Sequence, residues 1–180
     1  GNTIAWSLTG VTATGATVTG LPVTGNTLTV TSVSNPSIST MTLTANAVGS
    51  TVDAGSNSVQ VSSWTANVSN SKVRLNNLQF TFVGSANAAD VRNLRLMVNG
   101  TEVATLVQAS TETVFSIPGG VELNTGNSTI QLFADVMGSP NRTFTFSLLQ
   151  PYKVNAVDTQ YNTGISPSIT STNQTTITIN

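Results

Sequence analysis

The sequence predicts an all-β protein: an antiparallel β-sandwich with extended strand segments at both ends. Three observations lead there. Apolar residues recur at every second position and no 3.6-residue pattern competes. Turn signals separate the apolar runs at the 8–12-residue spacing of sandwiches. Val, Ile and Thr, the strand formers, dominate a chain of 180 residues in which Thr and Ser together number 52 and Asn 19. So polar a chain with so many β-branched residues is ordered sheet rather than disordered coil, because disorder goes with high charge and few such residues.

The elements follow in chain order. Residues 1–26 are small and punctuated at five-residue spacing by Gly10, Gly15, Gly20 and Gly25, with Ile4, Trp6 and Leu8 alternating against Thr3, Ala5 and Ser7. Residues 27–159 are expected to form the sandwich. Leu28 with Val30, Met41 with Leu43, and Val59 with Val61 open it. The run Val73, Leu75, Leu78, Phe80, Phe82 changes phase at Asn76–Asn77, which predicts a bulge. Leu94, Leu96 and Val98 lead into Asn99–Gly100, a dipeptide suited to the positive φ angles of a type I′ hairpin turn. A two-residue loop there places Leu96 opposite Val103, with Arg95 and Glu102 diagonal on the other face. Pro118–Gly119–Gly120, 124–127 and 138–141 read as further turns. Ile130, Leu132, Ala134 and Val136, then Phe144, Phe146 and Leu148, complete the core. Residues 160–180 form a separate carboxy-terminal linker and strand ending in Ile177 and Ile179.

Charge is scarce. Lys72, Arg74, Arg92, Arg95, Arg142 and Lys153 face Asp53, Asp90, Glu102, Glu112, Glu122, Asp135 and Asp158, a charged fraction of 7% against roughly 25% in ordinary domains. The six cations are scattered, so nucleic acid, which needs clustered phosphate contacts, is not an expected partner. No run of 18 apolar residues exists, so no helical membrane insertion is expected. His and Cys are absent, which removes the common nucleophile–base pairs, zinc sites and disulfides. The seven acids stand singly, without the pairing that glycoside hydrolysis needs. No catalytic residue, metal site or cofactor is predicted, and the expectation is that the chain is not an enzyme.

Three features have binding character. Asn87, Asp90 and Asn93 form the only cluster with calcium-ligand character, and a lone Asp beside two Asn more often turns the backbone. Asn-x-Ser/Thr occurs at Asn67, Asn99, Asn127, Asn141 and Asn173, which matches the five or so expected by chance from this composition. Asn99 and Asn141, at hairpin tips, are the possible glycan acceptors. Among ten aromatic residues, most of the Phe residues and Trp64 read as core. Trp6 and Tyr161 are then the platforms left for stacking on a surface glycan.

Residues 51–106 carry a recognisable text. Thr51-Val52-Asp53-Ala54-Gly55 precedes Val59 and Val61. Val73-Arg74-Leu75-Asn76-Asn77-Leu78-Gln79-Phe80 follows, then Ala88-Ala89-Asp90-Val91-Arg92-Asn93-Leu94-Arg95-Leu96. This resembles the tandem immunoglobulin-like sandwich domains of large bacterial cell-surface proteins found in surface layers, stalks and fibres. The likeness runs on through Phe144 towards Asp158. It implies an immunoglobulin-like fold and an extracellular structural or adhesive role.

The first 52 residues contain no ionisable side chain. Lys and Glu normally guard strand edges against unwanted pairing, so this stretch is built to pair. The expectation is that a terminal segment completes the sheet of another copy, giving a head-to-tail homopolymer. The amino-terminal candidates are Ile4, Trp6, Leu8, Val11 and Val18, and the carboxy-terminal ones Ile177 and Ile179. For residues 3–8 alone the terms nearly cancel. Hydrogen bonds contribute about 3–9 kcal/mol and apolar burial about 5–9, while ordering the chain costs about 8–16. A longer donor or additional contacts are required. The alternatives are that residues 1–26 are an inter-domain link to a neighbouring repeat, or that the chain is a carbohydrate-binding or adhesive module of a tandem-repeat surface protein.

Overall fold

The structure is a computed structural model and describes residues 2–31, 37–171 and 174–180. About 60% of these residues are strand and 3% helix. No helix among them is long and apolar enough to cross a membrane. The chain divides into two compact units, 1–36 and 37–180, so Leu28 and Val30 belong to the first unit. Residues 160–180, expected to stand apart, belong to the second.

The first unit is a narrow two-stranded ribbon. Strand β1 (Asn2–Ile4) pairs antiparallel with β4 (Leu28–Val30), Ile4 opposite Leu28, and β2 (Ser7–Leu8) pairs with β3 (Val23–Thr24). The Gly25 N–H donates to the Trp6 carbonyl between the two pairs at 2.8 Å. The register slips by one residue there, since Ile4 lies opposite Leu28 but Ser7 opposite Thr24.

The second unit contains β5 (Thr40–Asn46), β6 (Thr51–Val52), β7 (Ser56–Ser69), β8 (Val73–Gly84), β9 (Val91–Val98), β10 (Thr101–Gln108), β11 (Glu112–Leu123), β12 (Gly126–Val136), β13 (Thr143–Ser147), β14 (Val154–Asp158), β15 (Thr163–Ile165), β16 (Ser168–Thr170) and β17 (Ile177–Ile179). One sheet has the order β10-β9-β12-β7-β5-β16. The other has β15-β14-β8-β13-β17-β6, with β11 also paired to β8. Neighbours are antiparallel except β16 with β5 and β17 with β6. Strand β11 takes one edge of β8, while β14 and β13 divide the other. Residues 148–153, with a 3₁₀ turn over Pro151–Lys153, connect those two.

Alternating residues of both sheets close on one core. Trp64, Phe80, Phe115, Phe144, Phe146 and Leu75 are fully buried in it. The Trp64 indole N–H, which needs a partner when buried, donates to Ser62 Oγ at 3.0 Å.

Several local expectations hold. Asn99 and Gly100 adopt φ of 49° and 79° and join Val98 to Thr101, as the type I′ turn requires. Asn76 is skipped by the pairing of β8 with β14, which passes from Asn77 to Leu75. That is the bulge the phase change predicted. Two expectations fail. A register shift after Glu102 puts Leu96 opposite Ala104 rather than Val103, although Glu102, opposite Met97, stays diagonal to Arg95 on the outer face as expected. Pro118–Gly119–Gly120 is no turn: β11 runs straight through it as a wide bulge facing Asn76. Gly120, at φ 71°, lies so close that an added Cβ would sit 2.5 Å from Asn76 Oδ1. Its positive φ and the Asn76 and Arg74 side chains packed over it, and not chain reversal, account for that glycine.

Gly84 ends β8 at φ 145°, where a Cβ would fall 2.1 Å from the Thr143 carbonyl oxygen. Gly84→Ala is expected to destabilise the protein by about 2–3 kcal/mol, read as a lower urea midpoint. An unchanged midpoint would show that β8 and β13 part there without cost.

The second unit has two distinct ends. Ser39, the 69–72 turn and Asp158 meet at one. At the other, the Ala54 N–H donates to the Asn180 carbonyl (3.1 Å), Gly55 N–H to Val136, and Asn141 N–H to Ile179. The chain therefore enters this unit at one end and reaches Asn180 at the opposite end.

Candidate functional site: an uncharged ribbon and a bulged sheet face

Ile4, Trp6, Leu8, Val11 and Val18 all lie in the ribbon unit, and all are exposed, Trp6 to 80%. Val23, Leu28 and Val30 are exposed with them. Leu21 alone among residues 2–31 is half-buried. The unit therefore presents apolar side chains and unpaired strand edges without a core beneath them. A two-stranded ribbon of this kind is marginal by itself. The carboxy-terminal candidates are placed differently. Ile177 and Ile179 are buried in the second unit, where β17 pairs with β13 on one side and β6 on the other. Their strand is already used within its own sheet.

At the entry end of the second unit, Asp158 is wholly buried, and among the described residues no ion pair reaches it. Its Oδ2 accepts from Ser39 N–H (2.7 Å) and Ser71 Oγ–H (2.8 Å), and its Oδ1 from Gln160 and Tyr161 N–H (both 2.8 Å). Burial alone raises the pKa of this carboxyl. The hydrogen bonds from Ser39, Tyr161 and Ser71 outweigh it and hold the group far below the ordinary carboxylate range. This network ties the first strand of the unit to the β7–β8 turn and the end of β14.

The outer face of the six-stranded sheet carries a second polar cluster, centred on Asp135. Pairing slips by one residue on both sides of it, against β7 and against β9. Ser58 and Asn93, the bulged residues, have φ of 55° and 48°, values that cost a non-glycine residue energy unless the surroundings hold them. Asp135 does so: its Oδ1 accepts from Ser58 N–H (2.8 Å) and its Oδ2 from Asn93 Nδ2–H (2.7 Å). The Asn93 amide first, then the Ser58 N–H and the Arg95 charge, depress its pKa. Arg95 donates to Ser58 Oγ and lies over the Phe133 ring, 5.9 Å from its centroid. Phe133 is thus half-buried on the outer face and not core. The alternation already placed it with Gln131 and Asp135, out of phase with Leu132 and Ala134. A recess of about 300 Å³ opens beside this cluster, lined by Asn93, Leu94, Arg95, Thr105, Leu106 and Val107.

The other singled-out residues fall apart spatially. Asn87 Oδ1 accepts from Ala89 N–H at 3.1 Å and caps the short 3₁₀ turn 88–90. Asn87 and Asp90 line a polar recess with Ser139 and Arg142, while Asn93 has turned to Asp135. Asn99 sits at its hairpin tip with both ends of its amide engaged, accepting from Thr129 N–H (2.8 Å) and donating to Ser128 Oγ (3.2 Å). Asn141 is exposed at a turn with φ 62°. Asn173 lies outside the described residues. Tyr161 is 40% exposed, but Tyr152, in the 148–153 connection, is exposed to 80% and was not singled out from the sequence. Lys153, nearly buried, contacts Thr81 Oγ1 and Glu112 Oε2 (2.6 Å), and Glu112 also accepts from Gln79 (2.8 Å). That contact with Lys153, followed by the Gln79 bond, lowers the pKa of Glu112. In comparisons with known proteins, no family model and no curated protein matches this chain.

Proposed function

We propose that the chain is an extracellular structural subunit whose amino-terminal ribbon adds to the sheet of another copy, building a head-to-tail filament or layer. One observation carries this reading. Residues 2–31 have no charge and expose Ile4, Trp6, Leu8, Leu28 and Val30 on a ribbon that buries no core of its own. Strand addition supplies what such a ribbon lacks: backbone partners for its edges and cover for its apolar side chains. Because the ribbon is already paired internally, part of the ordering cost of a free tail is absent.

Three further points support it. Entry and exit at opposite ends of the second unit suit a linear repeat, which does not close into a ring. The finer fold reading is an immunoglobulin-like sandwich. It is supported by the sequence resemblance and by the connections β5–β6, β6–β7, β7–β8, β8–β9, β10–β11, β11–β12 and β12–β13, each passing from one sheet to the other. With Ile177 and Ile179 occupied in their own sheet, the donor role falls to the amino-terminal ribbon. The same resemblance supports a bacterial cell surface as its location.

The test is light scattering and electron microscopy on the full chain beside Ile4→Lys and Trp6→Glu, which restore edge-guarding charge. The unaltered protein is expected to form assemblies far larger than its 18.6 kDa monomer, and both variants to remain monomeric. A monomeric parent at about 100 μM, or variants that polymerise equally, would overturn the assignment.

A further inference from the structure

We propose that the recess on the outer face of β9 and β10 binds an acidic sugar residue, with the Arg95 guanidinium taking its carboxylate. The recess is of the size at which small-molecule sites begin, and four features of its walls fix the ligand's chemistry.

The first is the cation. Arg95 is the one charged side chain lining the recess. Ser58 Oγ and the Phe133 ring hold its guanidinium from two sides. It is preorganised, and donors beyond the one given to Ser58 are left for a planar, two-oxygen acceptor. The second is the local charge balance. Arg92 is exposed three residues earlier on the same strand, its Nε donating to Ala89 O at 2.9 Å. Asp135 is the one acid in the cluster, and each of its oxygens is already engaged. Exposed Glu102, opposite Met97 on the same face, offsets Arg92, so the pull on an anion at the recess comes from Arg95.

The third is the apolar wall. Val107 is 80% exposed and adjoins half-buried Leu106. Val107, on the same outward face as Thr105, suits the C–H face of a pyranose ring, with the Thr105 hydroxyl beside it for a ring hydroxyl, while Leu106, opposite buried Leu94, packs inward against the core. The fourth is the pair of bulges. Non-glycine residues at positive φ persist where the surroundings hold them, and bulges re-aim side chains beside binding sites. Here they bring Asn93 and Ser58 to bear on Asp135 and Arg95 at once.

Other occupants fit less well. Nucleic acid needs several clustered cations along a phosphate track. An added peptide strand would run along the β10 edge, whereas the recess lies across Asn93–Arg95 and Thr105–Val107. The site is distinct from the ribbon and does not rest on the assembly reading.

The experiment is calorimetric titration of the full chain, and of the non-assembling Ile4→Lys variant, with trigalacturonate and with its methyl ester. The ester is the same sugar without the charge. The acid is expected to bind both proteins at sub-millimolar concentration, and the ester at least about tenfold more weakly, as loss of a charge-assisted pair implies. Arg95→Gln is expected to lose about tenfold in affinity for the acid and to level the two ligands. Val107→Asp, on an exposed surface, should weaken the acid similarly with no change in thermal midpoint. Trp6→Ala should leave binding unchanged. Equal binding of acid and ester, no heat below about 10 mM, or full affinity in both Arg95→Gln and Val107→Asp would overturn the proposal.

Discussion

Replacing Asp158 with Ala is expected to lower the unfolding free energy by about 3–5 kcal/mol, at the upper end of what single substitutions do. Four hydrogen bonds end on this carboxylate, three of them from backbone N–H groups of Ser39, Gln160 and Tyr161. Removing it takes the acceptor from those donors, and the Ser39 N–H, which is buried, bears the full desolvation cost of an orphaned donor. Asp158→Asn keeps the shape but presents an NH₂ group where Oδ2 accepted two bonds, so about half the loss is expected. The pH dependence follows from the direction of the shift. The folded pKa lies below the unfolded value of about 3.9. The contribution is therefore complete above that value and lost as pH falls beneath it. Urea midpoints at pH 7 and pH 3 should differ strongly for the parent and less for Asp158→Asn. Equal pH sensitivity of the two would mean that the acid response comes from other carboxylates. Glu112 and Asp135, whose pKa values are also lowered, are more exposed and contribute less.

Phe146→Ala is expected to cost about 3–5 kcal/mol, with a steep loss of thermal midpoint. Its ring meets three others: Phe82 at 5.3 Å, Phe144 at 6.2 Å and Phe80 at 6.3 Å, each edge-to-face. Deletion therefore removes three aromatic contacts and opens a void between the sheets, where β8 and β13 lie side by side. Phe82 and Phe144, stacked at 5.7 Å, cannot both collapse into it without losing that stacking. Phe133→Ala is the informative comparison, because that ring lies on the outer face. It is expected to cost much less and to free Arg95 instead. A loss below about 1.5 kcal/mol for Phe146→Ala would show that the cluster repacks.

The strands were legible where the pattern itself was strong. Ile130, Leu132, Ala134 and Val136 keep strict alternation, and all four are buried. Asn76–Asn77 betrayed its bulge because two polar neighbours interrupt that phase. Asn99–Gly100 fixed a turn because so few dipeptides accept positive φ twice. What escaped is set by partners distant in sequence. Gly119–Gly120 carries the same local signal as a turn, and only the approach of Asn76 makes it a bulge. Asp158 reads as an ordinary surface acid until Ser39, 119 residues away, meets it. The Asp135 cluster draws on Ser58, Asn93 and Arg95 from two other strands, a convergence that no spacing along the chain announces. The boundary near residue 36 was missed for a related reason. Leu28 and Val30 carry a sandwich-like alternation, yet their partners, Asn2 to Ile4, are themselves uncharged and exposed.

The opposite placement of Ser39 and Asn180 in the second unit has a mechanical consequence. Tension between those residues acts along the axes of β5 and β17. The hydrogen bonds joining β5 to β7, and β17 to β13 and β6, are then loaded in shear. Rupture must break several of them together, where peeling would take them one by one. The Asp158 carboxylate, fastened to Ser39 at the point where the pull enters, acts as the clamp that delays the first slip.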